Sequence, residues 1–197
     1  MKLLYSPSSP YSAKVRMAAN YLGFAIEAIQ VNPVDDPPEL LGANPLGKIP
    51  TLIAEDGLAI YDSRSIMQFF HRESGCGLYP EPRSERNEAE VLEALCDGIT
   101  DSLLAIVYER RFRPDELVYQ PIIDRHWHKV LRGLAVLSSD LPKTDGTLHG
   151  GHFSVAALLG YLMLRFPGQW EEEFHCLPVW TRTLIECFPA FRELRPK

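Results

Sequence analysis

The sequence predicts an α/β half followed by an all-helical half, and three observations carry this. Lys2–Tyr5 is a short apolar run ending in a Ser- and Pro-rich turn, after which Tyr11, Val15, Ala18, Ala19 and Leu22 recur at helical spacing. Three more strand-like runs, separated by proline, glycine and hairpin signals, lie within residues 24–60. Beyond residues 74–82, a Gly- and Pro-rich segment that no helix crosses, only helical periodicity remains. The domain boundary is expected there, with residues 1–78 forming one domain and residues 84–197 the other.

At the first turn, Pro10 suits the first helical position and Ser9 the N-cap, among backbone N–H groups that welcome an anion. Gly23 ends that helix, and residues 24–31 form the second strand. Asn32-Pro33 and Asp36-Pro37-Pro38 break the chain before a short helix at residues 39–41. Asn44-Pro45-Leu46-Gly47-Lys48-Ile49-Pro50 then turns into a strand at residues 51–54. A cis Ile49–Pro50 bond there would leave the N–H and C=O of Ile49 free for an extended peptide. Glu55-Asp56-Gly57 leads back into residues 58–60, and Asp62 or Ser63 caps a helix that lays Ile66, Met67, Phe69 and Phe70 on the sheet.

The second half reads as helices over residues 85–113 (Leu92, Leu95, Ile99, Leu103, Ile106) and 115–140 (Ile123, Trp127, Val130, Leu134, Leu137, Leu141). Residues 143–152 read as a polar, Gly-rich loop. A buried central helix is expected from Ser154, carrying Val155, Leu159, Leu162 and Phe166 until Pro167-Gly168 stops it. Short helices follow at residues 179–188 and 190–194.

Composition narrows the function. At 197 residues, 46% hydrophobic and 23% charged, the chain is an ordinary globular protein of one or two domains. A net charge of -6 argues against a broad nucleic-acid surface. The apolar run at residues 1–5 is too short for a signal peptide or membrane span, which predicts a cytoplasmic protein with no membrane partner. Cys76, Cys96, Cys176 and Cys187 lack Cys-x-x-Cys spacing and read as reduced, mostly buried residues. No metal site is expected. His126 and His128 cannot share a helix face, and His149 and His152 lack a nearby acid or Cys.

Ser9-Pro10-Tyr11-Ser12 has the spacing of a Cys-Pro-Tyr-Cys redox motif with both sulfurs replaced by hydroxyls, so a thiolate served here must arrive on a ligand. With the Asn44–Pro50 turn and Asp62-Ser63, this stretch resembles the cytosolic glutathione transferases, especially bacterial members that use serine. The likeness extends to Leu92-Glu93-Ala94-Leu95-Cys96-Asp97-Gly98-Ile99 and Gly160-Tyr161-Leu162, and so spans nearly the whole chain.

The resemblance implies a thioredoxin-like domain with a mixed four-stranded sheet followed by a helical bundle. It implies glutathione as co-substrate, with Ser9 on its sulfur, Ile49 before a cis Pro50 on its cysteinyl main chain, Lys48 on its glycine carboxylate, and Asp62 and Ser63 on its γ-glutamyl end. Ser8 and Ser12 stay open as alternatives for the sulfur contact. Tyr11, Tyr108 and Arg111 are candidates for contacting a small hydrophobic, or anionic, electrophile. A detoxifying homodimer is implied, with Asp97 or Asp101 reaching glutathione across the interface. The expected activity is glutathione S-transfer; glutathione-dependent isomerisation or peroxide reduction, and non-catalytic ligand or partner binding, are the alternatives. One departure is that Ser154 is followed by Ala157 where the family places Asp, which predicts a lost capping box costing about 0.5–2 kcal/mol and a less stable helical half.

Overall fold

The computed structural model describes residues 1–75 and 77–197; Cys76, and with it part of the expected linker, lies outside the described residues. Strands β1 (Lys2–Tyr5), β2 (Glu27–Gln30), β3 (Thr51–Ile53) and β4 (Ala59–Tyr61) form one mixed sheet in the order β2-β1-β3-β4. β1 runs parallel to β2 and antiparallel to β3, so Leu3 sits opposite Ala28 on one side and Leu52 on the other. The β3–β4 hairpin closes on Asp56, whose carboxylate accepts from the Leu58 N–H at 3.0 Å, and on Gly57 at φ 87°. Helix α1 (Pro10–Tyr21) connects the parallel pair, as a crossover between parallel strands requires. A 3-10 turn (Pro33–Asp35) and α2 (Pro38–Ala43) lead into β3, and α3 (Ser63–Glu73) packs on α1 through Ile66, Met67 and Phe70.

The helical half comprises α4 (Arg83–Arg111), α5 (Gln120–Ser139), α6 (Gly150–Arg165), α7 (Cys176–Cys187) and α8 (Phe191–Leu194). α6 packs on both α4 and α1, and its residues 150–162 are all buried, as expected for a central helix. No helix among the described residues is long and apolar enough to cross a membrane.

Four expectations are corrected. The second long helix does not run from residue 115: Asp115–Leu117 is a 3-10 turn, Val118 and Tyr119 are extended, and α5 starts at Gln120. Pro121 explains this, because a proline inside an established helix clashes with the carbonyl four residues earlier and is tolerated only in the first turn.

The Gly-rich loop ends earlier than expected, and α6 begins at Gly150 rather than Ser154. A Cβ on Gly150 would lie 2.6 Å from the Tyr79 ring and one on Gly151 would lie 2.9 Å from Leu92. The glycine pair marks close packing, not a loop. Nor is the cap lost. His149 Nδ1 accepts from Gly151 N–H and His152 Nδ1 accepts from His149 N–H, both at 3.1 Å, a reciprocal box made of two imidazoles. Ser154 lies inside the helix, its hydroxyl donating to the Gly150 carbonyl at 3.0 Å, so Ala157 has no capping role to lose.

Finally, the three cysteines among the described residues are not mostly buried. Cys96 is buried, Cys176 intermediate and Cys187 exposed.

Apolar periodicity also missed what joins the two halves. Lys14 on α1 is 1% exposed, and its ammonium donates to Glu93 and to both oxygens of Asp97, each at 2.9 Å. Arg64 on α3 reaches the same Asp97 at 2.8 Å, and the Tyr79 hydroxyl donates to Glu93. A buried ammonium is tolerated only when paired and hydrogen-bonded in this way. Glu93 and Asp97 lie one turn apart on α4, in its buried stripe and beside its leucines.

Candidate active site

Ser9 holds the N-cap of α1 with extended backbone (φ -78°, ψ 121°), and its Oγ accepts from Ser12 N–H at 3.2 Å. Its own proton has no acceptor among the described residues. A donor left over at the positive end of a helix favours an anion. Ser8 also lines the cavity in front of this turn, its Oγ 3.3 Å from that of Ser6. Ser12 does not line it: the side chain is fully buried in α1.

Across the cavity, the turn into β3 is held by Asn44, whose amide donates to the Lys48 carbonyl at 2.8 Å and to Thr51 Oγ1 at 3.2 Å. Thr51 Oγ1 donates to the same carbonyl at 2.9 Å. The Ile49–Pro50 bond is cis. Neither the N–H nor the C=O of Ile49 is hydrogen-bonded among the described residues, so both remain available to a ligand. Lys48 is exposed at the rim.

On the third side, Asp62 caps α3, its carboxylate accepting from Arg64 N–H at 2.8 Å. Its φ of 67° with ψ of 127° is a conformation that L-residues seldom adopt, and such strain concentrates at binding sites. Ser63 follows at the first helical position, buried from bulk solvent and on the cavity wall.

These three segments share one cavity of about 660 Å³ with Tyr11, Tyr108 and Arg111, so every residue selected from the sequence lines the same space except Ser12, the alternative for the sulfur contact. The Tyr11 hydroxyl donates to Asp101, and burial followed by this carboxylate pushes the phenol far above its usual range. Tyr11 is therefore a neutral group already committed to Asp101. Asp97 is held by Lys14 and Arg64 of its own chain.

Sequence reading missed Arg64, Tyr161 and Arg165 on the wall. The last two lie four residues apart at the end of α6, a helix whose apolar run drew attention to its core face alone. Among the described residues no group of three or more His, Cys, Asp or Glu side chains could hold a metal ion. The Nδ1 atoms of His149 and His152 are occupied by backbone N–H groups.

Residues 3–77 match the family model of the glutathione S-transferase N-terminal domain. The uncharacterized GST-like protein YibF of Escherichia coli K12 is 31% identical over 170 residues, covering 84% of this chain and 83% of that protein. A crystal structure of a glutathione S-transferase from Methylobacillus flagellatus KT with GSH bound superposes with a TM-score of 0.90 at 32% identity, covering 100% of this chain and 99% of that one. A glutathione transferase family member from Pseudomonas fluorescens Pf-5, crystallised with S-(propanoic acid)-glutathione, gives 0.85 at 32% identity with both chains covered in full.

Proposed function

Because the chain belongs to the glutathione S-transferase family, we propose that it binds glutathione in this cavity, ionises its thiol and transfers the sulfur to a small electrophile. One observation carries the reading. The unshared Ser9 proton, the free main chain of Ile49 and the Asp62-Ser63 pair face a single cavity. Ser9 is the donor to sulfur, Ile49 pairs with the cysteinyl main chain, Lys48 meets the glycine carboxylate, and Asp62 and Ser63 hold the γ-glutamyl ammonium and carboxylate. The Pf-5 relative supports S-conjugation over mere storage, since its ligand is a thioether of glutathione.

The energetics suffice. Lowering a thiol by about two pKa units from its usual 8.5 requires roughly 2.7 kcal/mol of preference for thiolate. A hydrogen bond to a charged group supplies about 1.5–3 kcal/mol and a helix N-terminus about 0.3–1 kcal/mol. The thiolate then attacks the electrophilic carbon, with both partners held in place. Glutathione-dependent isomerisation or peroxide reduction would use the same thiolate and the same serine turn.

We also assign the protein to the cytoplasm as a homodimer. Leu58 of the hairpin and Val91 of α4, 58% and 67% exposed, offer apolar surface on each half for cross-packing. A single-chain mass by light scattering would overturn the dimer. The test of the function is calorimetry of glutathione binding between about pH 6 and 9 in buffers of differing ionisation enthalpy. Release of a proton at neutral pH is expected; binding without release removes the thiolate step, and no binding removes the whole reading.

A further inference from the structure

Beyond the serine turn the cavity is walled by the ends of α4 and α6, where two guanidinium groups stand without an acid. Neither Arg111 nor Arg165 is in an ion pair among the described residues. The carboxylates on the same wall have donors already: Asp97 from Lys14 and Arg64, Asp62 from the Arg64 N–H, and Asp101 from Tyr11. Arg165 goes further, for its Nε is buried and unpartnered while the residue lines the cavity. A charged donor without a partner costs about 1–3 kcal/mol or more, and a ligand acceptor that reached this guanidinium would recover part of that.

Arg165 follows Tyr161 by four residues on α6, and Arg111 follows Tyr108 by three on α4, so each shares a helix face with a tyrosine. Tyr161 is 2% exposed, yet lines the cavity. Burial raises its phenol, while the charges of Arg165 and Arg111, both on the same cavity wall, act to lower it and Tyr108 to raise it. Apolar surface comes from Leu104 and from Phe112, whose ring packs 5.1 Å from that of Tyr108.

We propose that the acceptor site takes an electrophile bearing a carboxylate, which Arg165 and Arg111 clamp with the Tyr161 hydroxyl as a further donor while the reacting carbon faces Ser9. This rests on the transferase reading above. A guanidinium presents two parallel N–H groups that fit a planar carboxylate. With Asp62, Asp97 and Asp101 also on the wall, the cavity suits a monoanion over a phosphate dianion. In a halocarboxylate reaction the thiolate gives its electron pair to carbon, the sulfur–carbon bond forms, and the carbon–halogen bond breaks. The halide leaves with the bonding pair, and the carboxylate is carried through unchanged as the handle.

The test compares S-carboxymethylglutathione with its neutral isostere S-carbamoylmethylglutathione, alongside glutathione itself, by calorimetry. The acid is expected to bind about tenfold tighter than the amide, and that ratio should fall below about threefold in Arg165→Gln and drop measurably in Arg111→Gln while surviving in part in Arg165→Lys. Equal affinity for acid and amide in the native protein overturns the inference, as does a ratio unchanged in both Gln variants. Arg111 is exposed at a helix end, so its variant keeps the test open if Arg165→Gln does not fold. Turnover of iodoacetate and iodoacetamide separates the two readings. No rate above solution alkylation, with the binding ratio intact, sinks the transferase chemistry and leaves the carboxylate clamp. Loss of binding by all three glutathione compounds sinks both.

Discussion

At the start of α1 the cap is a serine whose oxygen accepts from Ser12 N–H while its proton stays unshared. At the start of α6 two imidazoles close on backbone N–H groups behind Tyr79 and Leu92. Both helices begin with the same problem of orphan N–H groups and a positive dipole end. The first leaves part of it open toward a cavity, and the second seals it with neutral acceptors. An open start can serve a ligand; a closed one serves the fold. The two starts are also wired together, since Lys14 on α1 binds Glu93, Glu93 accepts from Tyr79, and the Tyr79 ring lies over Gly150.

Cutting that link is expected to have the largest effect. Lys14→Met removes the cation from a site that keeps Glu93 and Asp97 buried, and breaking such a network costs about 3–5 kcal/mol. Urea unfolding measures it. A loss under about 1 kcal/mol would mean that the two starts are held independently.

The open start is next. Ser9→Ala removes the donor proposed for sulfur and should lower turnover by about 100-fold, close to the 2.7 kcal/mol required of the site, while glutathione affinity changes less than about threefold. An unchanged rate moves the sulfur contact to Ser8, which also faces the cavity. The closed start predicts the reverse pattern. In Gly150→Ala a Cβ would sit 2.6 Å from the Tyr79 ring, and overpacking of this kind costs roughly 1–3 kcal/mol. Stability should fall with little change in the pH at which bound glutathione ionises. A shift in that pH would show that α6 reaches the thiol.

The same contrast explains what the sequence could reveal. Ser9-Pro10, Gly57 and Asp62-Ser63 are local signals, because each residue acts on backbone within three positions of itself, and the sheet, its helices and three walls of the cavity follow from them. The start of α6 was misread because glycines signal a turn only when their freedom is used, whereas Gly150 and Gly151 serve contacts with Tyr79 and Leu92, some seventy and sixty residues away in the chain. Lys14 is hidden for a related reason. A lysine inside an apolar stripe reads as a surface residue until Glu93 and Asp97 are brought over it. Arg165 was lost because the apolar pattern of α6 describes its core and says nothing of its last turn.

The smallest effect sharpens the comparison most, because it tests why one start is sealed. Burial, followed by the neighbouring His152, lowers His149 to about 4, and burial lowers His152 as well. Both Nδ1 atoms must be unprotonated to accept. Between pH 6.5 and the folded value the unfolded chain binds more protons than the native one, so the caps contribute fully above about pH 6.5 and their contribution is lost as pH falls toward 4. Partial exposure limits the effect to roughly 1–2 kcal/mol. His149→Asn keeps a good N-cap that does not titrate. The stability of the native protein minus that of the variant, from urea unfolding, should therefore shrink or reverse between about pH 7 and 4.5. A difference that stays constant over that range would mean that the imidazoles cap α6 without their charge state mattering, and that its seal against protons comes from the packing of Tyr79 and Leu92 instead.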